Sequence, residues 1–140
     1  MNELETKKNI PSACHDQRGD IYNVFEGRIE HAALITSKKG SVRANHYHNE
    51  DHQYIYLISG EYESYCCDTR NPQKKQVLRV TAGEIVYTPP LIAHAQKFTK
   101  DSVFLALSTR QREEGKYESD TVAYQVIDGY FNPRLKTLPK

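Results

Sequence analysis

Three of the chain's six histidines lie within seven positions of one another, at His46, His48 and His52. Imidazole nitrogens bind divalent metals, and a neutral imidazole accepts protons near pH 7. If residues 42–48 form a β-strand, side chains alternate between its two faces, so His46 and His48 point the same way. The spacing therefore allows three interpretations, which are a metal site, a catalytic base and ordinary polar residues beside a turn.

Three further polar side chains are predicted to face the same interior. Gln53 leads into the next candidate strand, where its same-face neighbours Ile55 and Leu57 are apolar and suit the inside of a barrel. His94 begins a later candidate strand, and Gln96 is its companion on the inward face. The expected site thus combines two imidazoles from one strand, an amide from the next and a third imidazole from a distant strand.

The segments that must position these residues are short and rich in β-branched and aromatic residues. Turn residues, mainly Gly, Pro and Asn, lie between them. The predicted strands are 21–25, 31–36, 42–48, 54–59, 61–67, 76–80, 85–88, 93–98, 103–108 and 121–127. Ten short strands predict an all-β barrel or sandwich. No stretch carries a helical stripe long enough for a core helix, and residues 111–117 form at most a short surface turn.

Length and charge limit what the chain can do. Its 140 residues hold one hydrophobic core. With 19 Lys and Arg against 18 Asp and Glu, there is no electrostatic reason to expect nucleic acid or an anionic membrane as a partner. No membrane span or signal peptide is visible, so we expect a cytoplasmic protein. We divide the chain into an N-terminal arm over 1–18, a single domain over 19–131 and a C-terminal tail over 132–140.

Two spaced motifs are similar to those of the cupin superfamily. Residues 40–60 read GSVRANHYHNEDHQYIYLISG and resemble its first motif, with Gln53 where the commonest form has Glu. Residues 83–98 read GEIVYTPPLIAHAQKF and resemble its second motif, with Leu91 where the family usually has Gly and Phe98 where it often has Asn. The resemblance implies an antiparallel double-stranded β-helix, the cupin jelly-roll barrel.

Within the superfamily, the segments RANHYHNEDHQ and YTPPLIAHAQKF look like those of RmlC-like sugar-nucleotide enzymes. These are the dTDP-4-keto-sugar 3,5-epimerases and the dTDP-4-keto-6-deoxyhexose 3,4-ketoisomerases, which carry an Arg three positions before the first motif His. That pair is Arg43 and His46 here. The resemblance implies that His46 is the base and that Arg43 contacts substrate phosphate or sugar. Strand parity points Arg43 away from the histidines unless a β-bulge redirects it.

Two versions of the site follow. In the first, a divalent metal (Zn, Ni, Fe or Mn) keeps its full charge, because all four of its ligands are neutral, namely His46, His48, Gln53 and His94. In the second, His46 is a metal-free base. A metal-bound imidazole has no lone pair for a proton, so the metal version needs another base. Candidates for that base are Tyr87, Glu61, a metal-bound hydroxide and Tyr56, which strand parity turns away from Gln53. Gln96 is a candidate substrate contact.

The expected function is an isomerase or epimerase that acts on a keto-sugar, nucleotide-linked, through an enediolate. One alternative is a metal-dependent dioxygenase or ring-opening enzyme for a small keto or enol substrate, and another is a non-catalytic sugar-binding cupin. Gln53 favours isomerisation over oxygenation, because a carboxylate ligand would offset part of the metal charge. The expected partners are a small carbohydrate substrate and a second copy of the chain, in a homodimer whose face includes Tyr47 and Tyr54.

Overall fold

Strands with alternating burial make up almost all of the protein in this computed structural model, which describes residues 4–111 and 119–128. The alternation follows from the pleat, which turns successive side chains to opposite faces of a sheet. The strands are β1 Thr6–Asn9, β2 Cys14–Asp16, β3 Gly19–Ile21, β4 His31–Ser37, β5 Val42–His48, β6 Gln53–Ser59, β7 Glu61–Asp68, β8 Asn71–Thr81, β9 Glu84–Thr88, β10 Ile92–Phe98, β11 Ser102–Ser108 and β12 Thr121–Ala123.

Two five-stranded antiparallel sheets face each other. The first has the order β1-β9-β6-β11-β4 and the second the order β12-β5-β10-β7-β8, while β2 and β3 form a separate hairpin. The predicted all-β jelly roll is confirmed, and each predicted strand from 31–36 to 103–108 matches an observed one. The predicted strand 121–127 is too long, because β12 ends at Ala123. The predicted strand 21–25 is wrong, because β3 ends at Ile21 and the chain then continues without regular structure.

The N-terminal segment differs from the arm expected over 1–18. Thr6–Asn9 form an edge strand of the chain's own first sheet, with Thr6 opposite Tyr87 and Asn9 opposite Glu84. All four side chains of β1 are exposed. Its sequence therefore lacks the alternation of apolar and polar residues that predicts a strand. The predicted tail over 132–140 and most of the predicted turn over 111–117 lie outside the described residues.

The space between the sheets is apolar at one end and polar at the other. The apolar end holds the main core cluster, which consists of Ile55, Leu57, Tyr62, Val80, Val86, Phe98 and Phe104. Its aromatic rings pack closely, with centroids of Phe98 and Phe104 5.6 Å apart. Four residues before Phe98 on the same strand, His94 belongs to the polar end. In the part of the chain described, no helix is long and apolar enough to cross a membrane.

Gly60, which ends the first motif, allows the β6–β7 turn to sit directly against the β11 strand. Its φ is +99°, and a Cβ there would clash with Oγ of Ser102 and lie 2.5 Å from the carbonyl oxygen of Asp101. Gly40, which begins the same motif, has a similar φ of +91° but open space around its Cα. Substitution of Gly40 therefore tests the cost of a positive φ alone, whereas substitution of Gly60 adds the cost of a steric clash.

We expect Gly60→Ala to lower the free energy of unfolding by about 3 kcal/mol, the sum of left-handed strain and overpacking. Gly40→Ala should cost only the strain, about 1 kcal/mol. Urea denaturation of the two variants beside the parent protein measures both values. Equal losses would show that the close approach of β11 to the turn does not constrain Gly60.

Candidate functional site

The polar end of the barrel interior is built around three imidazoles. His46 and His48 project from β5 and His94 from β10, and their exposed fractions are 5%, 3% and 2%. The ring centroid of His46 lies 4.7 Å from that of His48 and 5.1 Å from that of His94. His94 and His46 are also direct cross-strand partners. The structure therefore brings together the three histidines that the two motifs singled out, with His46 at the centre.

A β-bulge in β5 decides which of its side chains face this interior. His46 pairs with His94, but the next residue of β10, Ala95, pairs with Ala44, so that Asn45 is the extra residue. Ala44 and Asn45 both have positive φ, 70° and 59°. The side chain of Asn45 binds the backbone of residues 126 and 127 through three hydrogen bonds of 2.9–3.1 Å. The outward-turned asparagine thus fixes the chain that follows β12.

The bulge changes the orientation of Arg43, which strand parity alone points away from the histidines. Arg43 is now opposite Gln96, a buried residue two positions after His94 on the inward face. Its guanidinium donates hydrogen bonds to Oγ of Ser37 and, at 2.9 Å, to the carbonyl oxygen of Thr36. Arg43 is largely exposed, so the group lies at the edge of the interior.

Gln53 faces the same polar interior from the first sheet. It is buried and lies opposite Thr88 of β9 and Ser108 of β11. The hydroxyl of Thr88 in turn donates a 2.6 Å hydrogen bond to Glu5, which contacts His94. Gln53 is therefore buried beside the strand residue, Thr88, that binds Glu5, and its role as a ligand stays a prediction.

Glu5 is the residue of this region that sequence reasoning missed. It precedes β1, is only 1% exposed, and places Oε2 3.3 Å from Nδ1 of His94. Ser64 and Thr88 each donate a 2.6 Å hydrogen bond to its carboxylate. Burial alone would raise the pKa of Glu5, but His94 and the two hydroxyls outweigh it, so the pKa is lowered. The interior therefore places a carboxylate of lowered pKa beside an imidazole.

His48 has its own partners on the other side of the cluster. Its Nδ1 lies 3.1 Å from Oγ1 of Thr121 on β12 and 3.7 Å from Oδ2 of Asp120. Asp120 also accepts hydrogen bonds from the backbone amides of Glu50 and Asp51, at 2.9 and 3.0 Å. The loop after β5 and the segment that leads into β12 therefore orient His48.

Two of the candidate alternative bases, Tyr87 and Glu61, do not join the histidines. Thr88 faces inward, so its neighbour Tyr87 faces outward, where its hydroxyl lies 2.7 Å from Nδ1 of His52. Burial and the adjacent Tyr54 raise the pKa of Tyr87. Glu61 pairs with Arg79 and lies five residues from the β7 partner of His94, about 16 Å along the strand.

The metal centre that the motifs predict at His46, His48, Gln53 and His94 stays a prediction. A metal held by three imidazoles needs one nitrogen from each about 2 Å from the ion. Among the described residues, the set of three mutually close His, Cys, Asp or Glu ligand atoms comes from His48, Asp51 and Asp120. Of the three histidines, this set contains His48 alone.

Comparisons with known proteins agree with this architecture. The family described as "Cupin domain" matches residues 33–109, more than half of the chain. No curated protein matches the sequence. Among solved structures, the fold resembles the sugar 3,4-ketoisomerase QdtA from Thermoanaerobacterium thermosaccharolyticum in complex with TDP, at 20% identity over 88% of this chain and 90% of that one, with a TM-score of 0.71.

Two further structures have similar folds. One is the TDP-quinovose 3,4-ketoisomerase WlaRB from Campylobacter jejuni, at 15% identity over 87% of this chain and 94% of that one, with a TM-score of 0.72. The other is the dTDP-4-dehydrorhamnose 3,5-epimerase from Sulfolobus tokodaii, at 19% identity over 90% and 86% of the two chains, with a TM-score of 0.67. At such identities the likeness establishes the fold.

The composition of this ligand set leads to a prediction about metal binding. Calorimetric titration of chelator-treated protein with Zn²⁺ or Ni²⁺ should show no one-to-one site that depends on both His46 and His94, because the mutually close ligand atoms among the described residues are those of His48, Asp51 and Asp120. One-to-one binding that His46→Ala and His94→Ala each abolish would contradict this. Binding abolished by Asp51→Asn but kept in His46→Ala would instead locate the ion at His48, Asp51 and Asp120.

Proposed function

Because this chain belongs to the cupin domain family, we propose that it is an isomerase or epimerase of nucleotide-linked keto-sugars. The observation that supports the proposal is the group of three buried imidazoles inside the barrel, with ring centroids 4.7 and 5.1 Å apart. The proposed substrate class follows the solved structures of similar fold, which include a 3,4-ketoisomerase with bound TDP.

The chemistry requires little more than a well-placed base. A carbonyl at C4 of the sugar makes the proton on C3 or C5 acidic. Removal of the C3 proton gives an enediolate, and removal of the C5 proton gives an enolate. Return of the proton to C4 of the enediolate moves the carbonyl to C3, whereas its return to the opposite face of the carbon that it left inverts that carbon. An imidazole whose ordinary pKa is near 6.5 suits this step at neutral pH. His46 is the proposed base because it lies between the other two rings.

Arg43 is the proposed contact for the nucleotide phosphates. Its guanidinium is fixed by Ser37 and Thr36 at the edge of the interior and remains largely exposed. A guanidinium has five donors in a rigid plane, so two hydrogen bonds to the protein leave others for phosphate oxygens. Gln96, buried directly opposite Arg43, is the proposed contact for a sugar hydroxyl.

Deuterium exchange tests the proposed reaction. The protein is incubated in deuterated water with dTDP- or UDP-4-keto-6-deoxyhexoses, and the sugar is analysed by mass spectrometry and proton NMR. We expect deuterium at C3, C4 or C5, and at least a 100-fold slower rate in His46→Asn, since a general base contributes about that much.

The matched control for this experiment is His15→Asn, because His15 lies in the exposed β2–β3 hairpin and should leave the rate unchanged. Binding of the nucleotide sugar without exchange or product, across the whole panel, would contradict the proposed reaction. That result would favour the non-catalytic sugar-binding alternative.

We also propose a homodimer that uses the outer face of the first sheet. Leu34 on β4 is 67% exposed there and lies opposite Leu105 of β11, which in turn lies opposite Tyr56 of β6. A contiguous apolar face of this kind is typical of an interface. Tyr54 shares this face, whereas Tyr47 belongs to the second sheet and contacts Tyr124.

Light scattering during size exclusion tests the dimer. Leu34→Arg should convert it to a monomer, because a charge at the centre of an apolar interface cannot be solvated. Val77→Arg is the matched control, since Val77 is 58% exposed but lies on the second sheet. A parent protein that is monomeric at micromolar concentration, or a Leu34→Arg variant that stays dimeric, would contradict the proposal.

A further inference from the structure

The side chain of Asn45 ties the β-bulge of β5 to the chain that follows β12. Its Oδ1 accepts hydrogen bonds from the backbone amides of Val126 and Ile127, at 2.9 and 3.0 Å, and its Nδ2 donates one of 3.1 Å to the carbonyl oxygen of Ile127. The backbone carbonyl of Asn45 also accepts a 3.0 Å hydrogen bond from the amide of Tyr124. Asn45 is 2% exposed, so its side-chain bonds are shielded from water. The bulge and the segment after β12 are therefore held together as one unit.

This tether supports a backbone conformation that non-glycine residues rarely adopt. Ala44 and Asn45 have φ values of 70° and 59°, in the left-handed region. Asparagine enters that region more readily than most residues, whereas alanine has no polar side chain to compensate the strain. An alanine at position 45 would carry the strain without the three side-chain hydrogen bonds. The bulge therefore depends on the carboxamide of Asn45.

The bulge decides which way Arg43 points. With the bulge, Arg43 is the cross-strand partner of Gln96, which is buried on the inner face. Without it, the pairing of β5 with β10 would continue unbroken from His94 and place Arg43 opposite Lys97, which is exposed. Cross-strand partners share a face of the sheet, so Arg43 would then turn outward, beside a like charge. One extra residue thus separates an inward-turned guanidinium from an outward-turned one.

In the inward orientation, Arg43 reaches from the second sheet to the first. Its Nε donates a hydrogen bond to Oγ of Ser37, and a terminal nitrogen donates one of 2.9 Å to the carbonyl oxygen of Thr36. Both acceptors belong to β4, the edge strand of the first sheet. The guanidinium is therefore fixed from two sides, by its acceptors on β4 and by the bulge of its own strand.

We propose that Asn45 is a positioning residue for phosphate recognition. It acts through the bulge, which turns Arg43 to the edge of the interior, where the guanidinium binds the diphosphate of a nucleotide-linked sugar. This inference rests on the proposed function and deepens it. Nucleotide binding then depends on the segment after β12, which lies outside both family motifs.

Calorimetric titration of full-length variants with TDP tests the inference. We expect Asn45→Ala and Arg43→Ala each to weaken TDP binding about tenfold, the effect of losing one hydrogen bond to a charged group. Adding Asn45→Ala to Arg43→Ala should cause no further loss, because both changes remove the same interaction. TDP binding by Asn45→Ala as tight as that of the parent protein, or additive losses in the double variant, would overturn the inference.

Val80→Ala is the matched control for destabilisation. Val80 is fully buried in the main core cluster, on β8. The cavity should lower the melting temperature, but TDP affinity should stay within about twofold of the parent protein's. A loss of affinity equal to that of Asn45→Ala would show that general destabilisation explains both variants, and it would overturn the inference.

Val126→Pro breaks the same tether from its other side and replaces Asn45→Ala if that variant does not fold. Proline has no amide hydrogen, so the bond from residue 126 to Oδ1 of Asn45 is lost while the asparagine remains. We expect TDP binding about threefold weaker, the effect of one neutral hydrogen bond, and no further loss when Arg43→Ala is added. TDP binding equal to the parent protein's would count against the inference and overturn it.

A further measurement needs no nucleotide. In nitrogen–proton NMR, with the resonance assigned by Arg43→Lys, the Nε proton of Arg43 should exchange slowly with water because it is donated to Ser37. We expect this protection in the parent protein and in Val80→Ala, and its loss in Asn45→Ala. Protection that persists in Asn45→Ala would overturn the inference. A parent protein that shows the expected pattern but does not bind TDP would contradict the proposed nucleotide function, while the control of Arg43 by Asn45 would stand.

Discussion

The whole structure depends on the burial of polar and ionised groups inside a barrel only two sheets thick. Each buried donor or acceptor without a partner costs about 1–3 kcal/mol, and an unpaired charge costs more. The chain meets this cost by separating the interior into an apolar end around Phe98 and a polar end around His94. At the polar end, Glu5 has two hydroxyl donors and an imidazole. The two hydroxyls satisfy the carboxylate of Glu5, a group that an apolar core would exclude.

Backbone irregularity is concentrated where the polar end meets the loops. Ala44, Asn45 and Leu91 are the described non-glycine residues with positive φ. Leu91 occupies the position where the second cupin motif usually has Gly, and its backbone amide donates a 2.8 Å hydrogen bond to the carbonyl oxygen of His48. Its own carbonyl accepts a 2.7 Å hydrogen bond from the hydroxyl of Thr69. Strain at these positions is therefore compensated by bonds that tie the β9–β10 turn to the histidine strand.

The sequence predicts the centre of this fold well and its periphery poorly. The strands that carry His46, His48, Gln53 and His94 have clear alternation and turn residues, so both their bounds and their inward faces could be predicted. Strand parity gave the wrong direction for the side chain of Arg43, because the β-bulge at Asn45 turns it to the inner face. Nothing in the sequence RANH, residues 43–46, requires a bulge. Tyr87 faces outward because its neighbour Thr88 is the residue that faces inward.

Glu5 could not be predicted, for a different reason. It lies in a polar segment, 89 positions before the histidine that it contacts, and no local pattern marks a carboxylate that will be buried. Only the closed topology, in which β1 runs along the edge of β9, brings the two together. Contacts of this kind depend on which strands pair and in what register. The periodicity of a single sequence does not specify that pairing.

The central claim is that the polar end of the barrel is where the ligand binds and reacts. Histidine-selective NMR during titration with a TDP-linked 4-keto-6-deoxyhexose tests it most directly, because the chain offers imidazoles inside and outside the barrel. We predict that the resonances of His46, His48 and His94 shift together, while those of His15 and His52 stay in place. Shifts at His52 on the outer face of the first sheet, with unchanged resonances of the three buried histidines, would contradict the account.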